Sequence, residues 1–227
     1  MTPTRGLFYP GVELTSIARA IPVSAPASWY NPPMRPTQTL PPGYTPCFTL
    51  DLSRNMRLVL LLNLVAILLF GVFGWLFFSL AAAILPPDRL ASGLKATWIT
   101  LLACLLAYGL MLVLHELIHG AFFWLFSGRR PHFGFKGAYA YAAAPDWYFP
   151  RRQYLVVGIS PLLTLSLLGV ALLPILPAVA LLPWLVALAG NAAGAIGDAL
   201  IVGWLLFQPD PLLIQDHGDA VTAYREE

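Results

Sequence analysis

The chain has 227 residues, 58% of them hydrophobic and 11% charged, with a formal net charge of +2. Soluble domains are about 45–50% apolar and about 25% charged, so this much apolar surface cannot be hidden in one water-soluble core, and a mean hydropathy of +0.71 points to lipid as the solvent. The small net charge gives no argument for a nucleic-acid partner, and Cys47 and Cys104, in unlike contexts, make neither a disulfide framework nor a cysteine metal cluster.

Residues 1–39 lack the basic start, apolar run and small-residue cleavage site of a signal peptide. They carry Pro3, Pro10, Pro22, Pro26, Pro32, Pro33 and Pro36, a density that blocks helix and weakens strand. The reading is a disordered, proline-rich N-terminal tail. Tyr44 to Leu52 then has the composition of a strand, despite Pro46.

Four apolar stretches follow, at about 58–85, 98–126, 154–175 and 181–207. Each reaches the length of about 20 residues that a membrane helix needs. Glu116 is the only formal charge in the second stretch and Asp198 the only one in the fourth. Trp75, Trp98, Trp124, Trp184 and Trp204 lie near several of the ends, as in an interfacial belt. Between the second and third stretches stand Arg129, Arg130, Lys136, Arg151 and Arg152, while the connection around Pro177 has no basic residue. The positive-inside rule then puts both termini and the 127–153 loop in the cytoplasm. In that loop Phe133, Phe135, Tyr139 and Tyr141 alternate with smaller or polar residues, the period of one or two strands. An irregular interfacial loop with aromatic anchors is the competing reading. The expected fold is an all-α polytopic protein of the cell membrane, with four transmembrane helices over residues 40–208, a small cytoplasmic or interfacial β element, and a C-terminal cytoplasmic tail over 209–227.

The second stretch contains His115-Glu116-Leu117-Ile118-His119-Gly120. Residues four apart on a helix share a face, so both imidazoles can reach one ion. Zinc suits two histidine nitrogens and one carboxylate, and Glu116 is placed to take a proton from water and pass it to a leaving amine. A charged residue at mid-membrane costs at least ~2.5–3.5 kcal/mol, whereas interhelical hydrogen bonds return only about 0.6–2 kcal/mol. A purely structural polar cluster is therefore the weaker explanation.

Zinc needs a third protein ligand, and Asp198 is the only other carboxylate in the four stretches. Counted from the inner helix ends at 1.5 Å per residue, His119 lies ~11 Å deep and Asp198 ~14 Å deep. Asp198 is expected as a ligand, the alternative being that it holds a ligand histidine. Gly190, Gly194 and Gly197 offer a small-residue face for close helix approach. Asn191, two turns before Asp198, is a candidate for holding a peptide carbonyl or oxyanion, or else makes an interhelical hydrogen bond. Tyr108 is read as packing, Asn63 as an interhelical hydrogen bond, and His132 and His217 as solvated. Pro161 is read as shaping the backbone near the site.

Leu40-Pro41-Pro42-Gly43-Tyr44, Leu50-Asp51-Leu52, the His115–Gly120 motif, Gly134-Phe135-Lys136, Tyr154 leading to Ser160-Pro161, and Asn191 through Asp198 resemble the zincin peptidase family of small prokaryotic membrane proteins. The likeness spans roughly residues 40–207. The site is also similar to that of site-2 intramembrane proteases, which join His-Glu-x-x-His on one membrane helix with an Asp from a later one. The resemblance implies zinc held by His115, His119 and Asp198, with Glu116 as base. It departs at Asp198, which is followed by Ala199 where the site-2 pattern has glycine.

The leading expectation is a zinc metallopeptidase that cleaves a peptide or membrane-protein substrate in or beside the lipid bilayer. The alternative is a non-catalytic metal-binding membrane protein, a transporter or assembly factor, using the same ligands. A di-iron oxidase would need a second Glu-x-x-His motif and further carboxylates, and haem ligation would leave Glu116 without a role.

Overall fold

The computed structural model describes residues 35–135 and 140–227. Residues 1–34, most of the expected N-terminal tail, lie outside this range, as do residues 136–139 of the aromatic loop.

In chain order the elements are β1 (Tyr44–Asp51), α1 (Met56–Ile84), the short α2 (Pro87–Gly93), α3 (Trp98–Ser127), β2 (His132–Phe135), β3 (Ala140–Pro150), α4 (Arg151–Leu172), α5 (Leu181–Gly194), α6 (Ile196–Leu206), β4 (Leu212–Asp216) and β5 (Ala220–Glu226). Polar residues set the helix starts. Asn55 Oδ1 accepts from the Leu58 amide at 3.0 Å, and Thr97 Oγ1 from the Thr100 amide at 3.1 Å, each satisfying a donor that has no partner inside its helix. Helix α3 ends at Gly128, whose φ of +68° suits a residue without Cβ.

Among the described residues, three helices are long and apolar enough to cross a membrane: α1, α3, and α4 with the turn that extends it to Ile175. The fourth stretch passes only as a pair, Ala178–Gly194 and Ile196–Leu206, bent by 42°. Helix α5 is the hub. Its small residues Ala187, Ala189, Gly190, Ala192 and Ala193 are buried, and it packs on α1, α3 and α4. Helix α1 buries only Leu58, Phe77 and Ala81. Its exposed Leu60, Leu64, Ile67, Leu68 and Trp75 form an apolar surface suited to lipid.

The all-α expectation is overturned. The strands form one antiparallel five-stranded sheet in the order β1-β5-β4-β3-β2. It draws on three connections at one end of the bundle: before α1, between α3 and α4, and after α6. No single segment shows the sheet, because its strands come from segments far apart in the chain. Residues 212–226, assigned from sequence to a C-terminal tail, supply β4 and β5, and Leu212, Leu213 and Ile214 are fully buried. Upstream of β1, Thr37 forms an isolated bridge with Tyr148 of β3.

Candidate metal and catalytic centre

The motif lies on α3, where the four-residue spacing puts His115 and His119 on one buried face with ring centroids 4.9 Å apart. The bend between α5 and α6 brings Asp198, in the first turn of α6, to that face. Asp198 Oδ2 stands 3.0 Å from His115 Nε2 and 3.4 Å from His119 Nε2. One donor atom from each residue lies within 4.8 Å of the others.

The far side of each ring is anchored. His119 Nδ1 faces the Val157 carbonyl at 3.0 Å. A carbonyl only accepts, so Nδ1 carries the proton and Nε2 presents a lone pair. His115 Nδ1 donates in the same way to Asn191 Oδ1 at 2.9 Å. Two imine lone pairs and a carboxylate oxygen facing one another need positive charge between them. Two nitrogens and one oxygen at this spacing fit zinc.

Glu116 is half-buried beside the rings, and its Oε2 accepts from the Ala142 amide of β3 at 2.8 Å. A cavity of about 200 Å³ opens over this group and is also lined by Tyr154, Asp198 and Asp216. A larger one, about 490 Å³, lies on the α1 side, lined by Asn63, Tyr108, Leu112 and Asn191. His115 and Glu116 line both.

Residues 108–211 match the family described as "Putative zincin peptidase". The matched segment carries His115, Glu116, His119, Asn191 and Asp198, and supports a metallopeptidase-type function with a metal, zinc above others, at its centre. It is the family that the sequence resembles. The chain matches no curated protein and no solved structure.

Other expected residues sort differently. Gly190 is a close-approach position, since a Cβ there would stand 2.4 Å from the Tyr108 ring. Gly194 and Gly197 instead face open space and line the smaller cavity. Asn63 Nδ2 donates to Val59 O of its own helix at 2.8 Å, so this bond does not join helices. His132 is exposed, 4.0 Å from Asp146.

Sequence reasoning missed the partners of Tyr154. Its hydroxyl donates to Asp216 Oδ2 at 2.5 Å, and Asp216 Oδ1 accepts from the Gly218 amide at 2.7 Å. Burial pushes the Asp216 carboxyl above the ordinary aspartate range, against the lowering effect of these two bonds. The signal available was the Asp216-His217-Gly218 turn between two apolar runs, read as tail.

Proposed function

We propose that the chain is a zinc metallopeptidase that hydrolyses peptide bonds in or beside the cell membrane, with its sheet and both termini on the cytoplasmic side. The convergence of His115 Nε2, His119 Nε2 and Asp198 Oδ2 beside a Glu116 whose carboxylate is fixed from the sheet carries this reading. These three atoms would hold the ion. Zinc so held supplies a Lewis acid that acidifies water and polarises a carbonyl.

The protein's own groups do the rest. Glu116 Oε2 is held by the Ala142 amide, which leaves Oε1 to take the proton of the attacking water and hand it to the leaving amine. The anchors on both Nδ1 atoms keep the rings aimed. Asn191 Nδ2 is buried without a partner and is available to donate to a substrate carbonyl.

The substrate must be extended at the cleavage point, because a helix hides its carbonyls in backbone hydrogen bonds. Ala142 pairs in register with Phe133 of β2, yet its amide turns away to Glu116. Strand β4 joins β3 only from Ala144 onward. The inner edge of residues 140–143 therefore faces the centre, and a peptide laid there adds a strand with its backbone beside Glu116.

Metal analysis of purified protein tests this. Wild type should retain zinc; His115→Ala and Asp198→Ala should lose it. Glu116→Gln should keep zinc and fail to cleave a library of membrane peptides reconstituted in lipid. Wild-type protein that holds no zinc would overturn the reading, and a Glu116→Gln variant that cleaves normally would remove Glu116 as base.

A further inference from the structure

Helix α4 carries Pro161 among its buried residues, three turns from its start. Proline has no amide hydrogen, and its ring crowds the carbonyl four residues earlier. In a helix that carbonyl would otherwise accept from residue 161. Here it belongs to Val157, and it is used by two other donors: His119 Nδ1 at 3.0 Å and Ser160 Oγ at 2.8 Å. Ser160 is buried, and Val157 is 2% exposed, so protein groups rather than bulk solvent satisfy this oxygen.

We propose that Pro161 is a positioning residue for the metal centre. By withholding its amide it frees the Val157 carbonyl, and that carbonyl fixes the Nδ1–H tautomer of His119 and points Nε2 at Asp198. The proline thus acts through one backbone oxygen on a ligand from a different helix. The inference rests on the metal reading above and adds a residue to it. It also gives a helix breaker in the middle of α4 a role beside the centre. The backbone bond lost within α4 is replaced by the one that orients the histidine.

The test is zinc affinity of the full chain in nanodiscs, by competition with a zinc chelator, alongside thermal melting of the zinc-free protein. Pro161→Ala and Pro161→Gly both restore an amide that competes with His119 for Val157. Each should weaken zinc binding about ten- to a hundredfold, the usual effect of losing such an outer partner. Alanine favours helix far more than proline does, so zinc-free Pro161→Ala should melt at or above the wild-type temperature. Ordinary packing damage would not produce that opposition of signs. Wild-type zinc affinity in either variant overturns the proposal. So does zinc loss in both variants that tracks a fall in zinc-free melting temperature. If wild type holds no more zinc than His119→Ala, the metal reading itself fails, and the inference falls with it.

Discussion

The Ala142 amide donates to Glu116 Oε2 across 2.8 Å, so a strand of the sheet fixes the carboxylate that α3 supplies. A bond from an amide to an ionised group is worth about 1.5–3 kcal/mol. The Ala142→Pro variant removes that donor and touches none of the proposed metal ligands. It should lower the hydrolytic rate constant about ten- to a hundredfold while zinc content stays at the wild-type level. Steady-state kinetics with parallel metal analysis reads both. An unchanged rate would mean that Glu116 needs no anchor on the sheet.

Gly120 follows His119 directly, and Phe133 of β2 and Pro131 before it press on it. A Cβ there would meet Phe133 Cζ at 2.4 Å and Pro131 Cγ at 3.1 Å. Gly120→Ala should cost ~1–3 kcal/mol, the usual penalty of overpacking. Phe133 is half exposed, so Phe133→Ala alone should cost less. If the ring causes the conflict, the double variant should be more stable than the sum of the two singles predicts. Strictly additive denaturation free energies would place the damage elsewhere.

The centre was more legible in the sequence than the sheet that encloses it. His115, Glu116 and His119 are local, since one turn of helix brings them together whatever surrounds them. Asp198 is remote but isolated in an apolar run, and depth counting from the helix ends was enough to match it with the histidines. Residues whose contribution is a backbone atom were hidden, because Val157 and Ala142 act through a carbonyl and an amide that every residue has. Strands β4 and β5 were hidden for another reason. Leu212-Leu213-Ile214 is too short to distinguish from the end of a membrane helix. Its partners, Phe149 and Pro150 on one side and Ala223–Arg225 on the other, are set by tertiary pairing.

Asp216 gives a pH test. Its carboxyl is raised by burial, so between the unfolded value of about 3.9 and the higher folded value the native state binds more protons than the unfolded chain. Stability from this group is therefore fully present below about pH 4 and is lost as pH rises through the folded value. Asp216→Asn cannot titrate. Wild type should have its greatest advantage over Asp216→Asn, or its smallest deficit, at the acid end, and lose ground steadily toward neutrality. Melting curves of both proteins from acid to neutral pH check this, and a pH-independent difference between them would contradict it.

Removing residues 212–227 asks whether the C-terminal hairpin is part of the working unit. Among the described residues strand β1 pairs with β5 alone, and β4 joins β5 to β3. Deletion therefore strands β1, uncovers β3 and takes Asp216 from Tyr154. Burying Leu212, Leu213 and Ile214 is worth roughly 1.5–3 kcal/mol each, all of it lost, whereas α3, α5 and α6 keep their mutual contacts and every proposed metal ligand. The truncated chain should still insert into membranes and bind zinc, more weakly than the full chain. Limited proteolysis should cut it within residues 44–51 and 140–150, and it should not hydrolyse peptides, because the strand that anchors Glu116 has lost its support. A truncated protein with full-length protease resistance and activity would show that the sheet is dispensable to the centre.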